Sequence, residues 1–316
     1  MIKTPVCSLA GIEYPIFQGG MAWISDGALA AAVSNGGGLG IISAMNLSAD
    51  YLRGEINKTR ELAPGKPFGV NIMLMSPFVE EVAKVVADEK VPIVTTGAGS
   101  PAKYIEGWRT AGVKVIPVVA SVALAKMMTR AGACALIAEG GESGGHIGEL
   151  TTMALIPQVC DATDLPVIAA GGIGDGRGVA AAFMLGAQGV QLGTRFLVAD
   201  ECPVHPVYKE KILKATDIST AATGRRLGHP VRSIKTPFTR AYMKAEYDSS
   251  VSNDELEAMG AGALRLAALE GDSEKGCFLA GQIAGMINKT QPAAEMIKEI
   301  FDEAESILRG ANKWLV

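Results

Sequence analysis

Short apolar runs alternate with longer amphipathic stretches through the first two-thirds of the chain. The runs are Pro15–Gln18, Leu39–Ser43, Phe68–Leu74, Pro92–Thr96, Lys114–Val119, Ala135–Ala138, Pro166–Ala170 and Gly189–Leu192. Each is short enough for a strand buried on both faces, and most are rich in Val or Ile. The stretches between them carry helical spacing; Pro77–Asp88 places Phe78, Val79, Val82, Val85 and Val86 on one side. Ala111-Gly-Val, Ala131-Gly-Ala and Leu185-Gly-Ala each stand just before the next run, where a glycine stops a helix. Eight strands alternating with helices predict an α/β chain folded as a (β/α)8 TIM barrel rather than an open sheet.

The alternation breaks after about Leu197. Residues 203–258 carry Pro203, Pro206, Pro230 and Pro237, many charges and no clean strand. Helical periodicity returns at Met259–Ala268 and at Ala293–Arg309. The expected organisation is a barrel over 1–202, a small inserted lid or substrate segment over 203–258 after strand eight, and closing helices over 259–316. A stretch of about 55 residues makes only a marginal core of its own, which favours an insertion over a separate domain.

Composition narrows the function. The 29 basic and 33 acidic residues leave a net charge of −4, which argues against a general nucleic-acid binder. Cys7, Cys134, Cys160, Cys202 and Cys277 are scattered without CxxC spacing, as expected of reduced thiols in a cytoplasmic protein. No apolar run reaches about 18 residues without a charge or turn cluster, so no membrane span is expected. Glycine accounts for 38 of 316 residues, against a usual ~7%. These glycines gather at the ends of the apolar runs, where the ligand loops of this fold belong.

The densest cluster is Glu139-Gly-Gly-Glu-Ser-Gly-Gly-His146, directly after the sixth run. The other strand ends bear Gln18-Gly19-Gly20-Met21, Asn71, Thr95-Thr96-Gly-Ala-Gly99, Ser121, Ala170-Gly171-Gly172-Ile173 and Gly193-Thr194. Gly171-Gly172 and Gly193-Thr194 follow strands seven and eight, where backbone N–H groups and a helix N-terminus hold a phosphate in this fold. The alternative for these glycines is a pair of tight βα turns. A phosphate there, with glycines lining strands one and six, leaves room for a planar ring over the barrel mouth. Gly19, Gly20 and Met21 can offer backbone groups to a ring edge, and Asn71 can bond a ring carbonyl or nitrogen. Glu139 can accept from ribityl hydroxyls, and Gly145 lets the histidine loop approach closely. The ligand this suggests is flavin mononucleotide (FMN). Plain structural roles compete: a turn cap for Asn71 and a rim salt bridge for Glu139.

His146 is the candidate catalytic group, able to protonate a carbanion or polarise a carbonyl near neutral pH; the alternative is a hydrogen-bonded loop histidine. His205 and His229 form no metal set with it, and no HExxH, CxxC or carboxylate cluster suggests a metal centre. From Ile218 to Ala245 the chain lacks acidic residues but carries Arg225, Arg226, Arg232, Lys235, Arg240 and Lys244. That local positive charge can steer an acidic partner or phosphorylated substrate, or simply be a solvated loop.

Several blocks together resemble the flavin-dependent enoyl-acyl-carrier-protein reductases of the FabK type, within the wider group of nitronate monooxygenases (2-nitropropane dioxygenases). They include Tyr14-Pro-Ile-Phe-Gln-Gly-Gly-Met-Ala-Trp23, Phe68-Gly-Val-Asn-Ile-Met-Leu-Met-Ser-Pro77, Gly144-Gly-His-Ile-Gly148, Gly228-His-Pro-Val-Arg-Ser-Ile-Lys235 and Ala280-Gly-Gln-Ile-Ala-Gly285. The resemblance spans nearly the whole chain and adds Gln282 to the expected cofactor residues. It implies FMN at the barrel mouth, reduced by NADH or NADPH, and hydride transfer to the β-carbon of a trans-2-enoyl thioester beside His146. It also implies acyl carrier protein as partner, a homodimer, and in some members a response to monovalent cations. A nitronate monooxygenase would use the same flavin and histidine with molecular oxygen. A non-catalytic flavin- or phosphate-binding sensor is a third possibility, which His146→Ala with retained flavin would separate.

Overall fold

The computed structural model describes residues 1–45 and 47–314; Asn46 lies outside it, as do Leu315 and Val316, which close the expected 259–316 segment. The strands are β1 (Ile16–Gln18), β2 (Gly40–Ser43), β3 (Phe68–Met73), β4 (Ile93–Gly97), β5 (Lys114–Val119), β6 (Leu136–Glu139), β7 (Gly145–His146), β8 (Val167–Ala170), β9 (Gly189–Leu192), β10 (Thr220–Thr223) and β11 (Val231–Ile234). Eight of them form one parallel sheet in the order β1-β9-β8-β6-β5-β4-β3-β2. The ends of that order meet where Leu39 N–H donates to Ile16 O at 2.9 Å and Gln18 N–H to Leu39 O at 3.0 Å. The Gln18 side chain continues the seam, its Oε1 accepting from Ile41 N–H at 3.1 Å. This is the (β/α)8 barrel that the alternation predicts.

Strand alternation divides the side chains into two layers. Phe17, Ile41, Ile93, Ile116, Ile137 and Ile168 form one buried cluster inside the barrel, together with Val6, Ala10 and Ile12 at the chain start. Each fully buried Ile contributes ~1.5–3 kcal/mol, so the barrel floor is firm. The helix Pro5–Ala10 closes the floor: a Cβ on Gly189, at the start of β9, would lie 3.2 Å from Val6 Cγ1. Residues of opposite parity, such as Val70, Val94 and Val115 or Leu136, Val167 and Val190, pack outward against the helices. Two residues further along at the same parity, four strands carry polar side chains: Asn71 beyond Gly69 on β3, Thr95 beyond Ile93 on β4, Glu139 beyond Ile137 on β6 and Gln191 beyond Gly189 on β9. The polar layer over an apolar floor is what makes the C-terminal mouth the site.

The three expected glycine helix stops have left-handed backbone, with φ of 84° at Gly112, 100° at Gly132 and 101° at Gly186. The final helix is Ala293–Arg309, as its spacing predicts. Residues 203–258 differ from expectation: they contain β10 and β11 beside the helices Pro206–Leu213, Pro237–Glu246 and Asn253–Gly260. Thr-Ala-Ala-Thr and Val-Arg-Ser-Ile show no apolar run because these strands are four residues long and owe their form to pairing. The segment also shares the barrel's core, for Tyr208, Ile212 and Ile234 sit in the same buried cluster as Leu136 and Val167.

Candidate active site at the barrel mouth

A cavity of about 640 Å³ opens over the C-terminal strand ends, within the usual range for a cofactor site. Gly19, Gly20, Met21, Asn71, Glu139, Gly145, His146, Gly171, Gly172, Gly193 and Thr194 all line it. Their loops converge because every one of them follows a strand of the same barrel.

The glycine wall requires glycine. Gly171 and Gly172 have φ of 86° and 69°, and a Cβ on Gly171 would lie 2.7 Å from Gly140 O. A Cβ on Gly20 would lie 2.4 Å from Asn71 Cβ, so the first loop rests directly on that amide. Thr95 Oγ1 donates to Asn71 Oδ1 at 3.0 Å and fixes its orientation. A bare backbone wall at Gly171-Gly172, facing the open side of Gly193-Thr194, fits a flat ligand ending in a phosphate. Part of the phosphate expectation changes. The N-terminal amide of the helix Thr152–Cys160 donates to Glu142 at 2.9 Å; in the helix Gly176–Met184 the Gly176 amide donates to Glu303 at 2.8 Å, and those of Arg177 and Gly178 donate to Asp175. Both nearby long helix ends are therefore taken by carboxylates, leaving the loop amides to hold an anion. Met21 differs too, since its N–H already donates to Ser25 Oγ at 2.9 Å.

Three expected residues lie off the wall. Thr96 is buried with its hydroxyl unpartnered, on the outward face of β4; alternation brings Thr95 inward instead. Ser121 caps the helix Val122–Ala131 by accepting from Leu124 N–H at 3.2 Å. The Gln282 side chain is exposed, and its backbone N–H donates to Glu142 O at 2.9 Å. Conversely, Glu142, Gln191, Tyr208 and His229 line the cavity without having been singled out. For Gln191 the strand parity was the available signal; Tyr208 arrives from a distant helix and left none.

Burial controls the charges. Glu139 is pushed up to about 7 by desolvation, against the single hydrogen bond from Ser143 Oγ at 3.1 Å. His146 is held below its ordinary value, first by desolvation and then by its electrostatic interaction with His229, which favours the neutral imidazole. Burial lowers Arg232 as well, against the attraction of Glu142. Its guanidinium straddles Gly141 O, with Nη2 at 3.0 Å and Nε at 3.2 Å. It thus ties β11 to the histidine loop, whose β7 pairs with β11 residue for residue: Val231 with His146 and Arg232 with Gly145.

This barrel mouth has relatives. A sequence profile described as Nitronate monooxygenase matches residues 3–87 and 75–303. The chain belongs to the nitronate monooxygenase family. Among solved structures of this kind, FabK from Thermotoga maritima is 50% identical, covers 100% of both chains and superposes with a TM-score of 0.96. The (3aS,4S,5R,7aS)-5-hydroxy-7a-methyl-1-oxo-octahydro-1H-indene-4-carboxyl-CoA dehydrogenase of Mycobacterium tuberculosis is 32% identical over 98% of each chain. A probable nitronate monooxygenase of Staphylococcus saprophyticus is also 32% identical, over 97% of this chain and 99% of its own. The chain is an oxidoreductase of this family. Among the described residues no cluster of His, Cys, Asp and Glu is placed to hold a metal ion, and no helix is long and apolar enough to cross a membrane.

Proposed function

We propose that the chain is an FMN-dependent enoyl-acyl-carrier-protein reductase, using NADH or NADPH to reduce the trans-2 double bond of enoyl thioesters. The observation that carries this reading is the full-length likeness to FabK at 50% identity, well above the 32% shared with the probable oxygenase. A relative whose name specifies a carboxyl-CoA substrate adds support for acyl thioester chemistry.

On this reading Gly171, Gly172, Gly193 and Thr194 hold the FMN phosphate through loop amides. Gly19, Gly20 and Asn71 approach the ring, and Glu139 faces the ribityl chain or ring. When bound, the flavin supplies hydride transfer; the protein supplies position and electrostatics. Asn71, oriented by Thr95, offers a directed amide to the ring edge. His146, kept neutral, is a hydrogen-bond donor at the thioester oxygen and the proton donor at the α-carbon. The Met73 and Met75 side chains on the cavity wall suit a flexible acyl chain.

Acyl carrier protein, being acidic, would dock on what remains of the basic segment. Arg225 is paired with Glu149 at 2.8 Å, and Arg226 donates to the Asp248 carbonyl at 3.1 Å. Lys235, Arg240 and Lys244 stay exposed to carry the docking charge.

An anaerobic titration tests the reading. Purified yellow protein should bleach with NADH and recover its colour on addition of a crotonyl thioester of acyl carrier protein or coenzyme A. Protein indifferent to NADH but reduced by an alkyl nitronate would turn the assignment to nitronate oxidation, and protein that takes up no FMN would overturn both.

A further inference from the structure

The cavity wall carries a second histidine to which the mechanism above gives no task. His229 lines the same cavity as His146. Its place follows from strand register. Val231 lies opposite His146, and the ladder runs one step further, with Ile147 N–H donating to Pro230 O at 3.0 Å. His229 directly precedes Pro230, at the edge of the β10–β11 turn, and continuing the register would set it diagonal to His146, with which it shares the cavity wall. Diagonal neighbours stand ~7–8 Å apart, within reach of aromatic side chains directly or through one water.

The other charged and titratable groups around the pair are engaged. Arg225, in the turn that carries His229, is paired with Glu149. Arg232 is bound to Gly141 O, Glu142 to Thr152, Glu139 to Ser143, and Tyr208 to Leu279 O. Among the described residues the two imidazoles alone on this wall have titratable nitrogens without a hydrogen-bond partner.

We propose that His229 is the proton source for His146, the two forming a relay from solvent to the substrate. The inference rests on the enoyl-thioester reading. With FMN bound and reduced, the hydride it would supply to the β-carbon would leave the negative charge on the substrate as a thioester enolate. The N–H of neutral His146 gives its proton to the α-carbon, completing the saturated thioester. The other ring nitrogen of His146 takes a proton from the His229 imidazolium, so His146 ends neutral and never carries the charge alone. His229 is recharged from solvent at the cavity mouth. The held-down basicity of His146 fits this division of labour: a neutral imidazole is a weak acid unless its second nitrogen is protonated as the first is released.

The test uses holoenzyme with His229→Asn and, as a second variant, His229→Gln. The chain has only three histidines, so the His146 ring signals can be followed by NMR across pH. Loss of the repelling neighbour should move the His146 titration upward. Bleaching by NADH should proceed at the wild-type rate, showing that fold and flavin site survive. Recovery with crotonyl thioester should slow by about tenfold or more, with KM little changed and partial rescue by added imidazole. Wild-type recovery rates and pH profile in both variants would overturn the relay. A wild-type enzyme that bleaches but never recovers with the thioester would instead defeat the functional reading and the relay with it. An unmoved His146 titration would show that the two rings do not interact.

Discussion

Glu139 offers a quantitative test of the electrostatics at the barrel mouth. Desolvation moves its carboxyl from 4.5 to about 7 in the folded protein. The stability this proton confers is fully present below the unfolded value of 4.5 and is lost as pH rises through about 7. A displacement of that size corresponds to ~3 kcal/mol between the two limits. Glu139→Gln keeps the shape and the acceptor for Ser143 Oγ but removes the titration. In FMN-free protein its unfolding free energy, measured by urea denaturation, should sit close to wild type at pH 5. The variant should gain about 2–3 kcal/mol over wild type by pH 8. A variant-minus-wild-type difference that stays flat with pH would refute the argument, because it would mean Glu139 keeps enough solvent or partners to ionise normally.

Other outcomes follow from the packing. Thr96→Val should leave FMN binding unchanged and cost nothing, or stabilise by up to ~1 kcal/mol, because the hydroxyl it removes is buried and unpartnered; fluorescence titration and thermal melting check this. Gly171→Ala forces a Cβ into left-handed backbone 2.7 Å from Gly140 O, costing ~1–3 kcal/mol and most of the FMN affinity; binding equal to wild type would mean the loop yields freely. Arg232→Met removes the clamp on Gly141 O, a charged hydrogen bond contributing ~1.5–3 kcal/mol, and should weaken FMN binding about tenfold, with Arg232→Lys recovering part of it.

Much of this molecule was legible in the chain. The eight runs, the glycine stops at Gly112, Gly132 and Gly186, and the helix Ala293–Arg309 are local patterns of period two and 3.6, so sequence alone determined them. The barrel rule then placed Asn71, Glu139, His146 and the glycine pairs at one mouth, and the cavity does gather them. Parity was harder. Choosing Thr96 over Thr95 is a slip of one residue, and such a slip sends a side chain from the mouth to the outer layer. The strands in 203–258 were missed because β10 and β11 carry no run of their own and exist through their pairing with each other and with β7. That pairing was decided by tertiary structure alone. It spends Arg232 on Gly141 O and brings His229 to the same cavity wall as His146, across a gap of more than 80 positions in the chain. Periodicity reports which way a residue faces within its own element. Which charge is consumed, and which two imidazoles share a wall, depends on contacts between elements far apart in sequence.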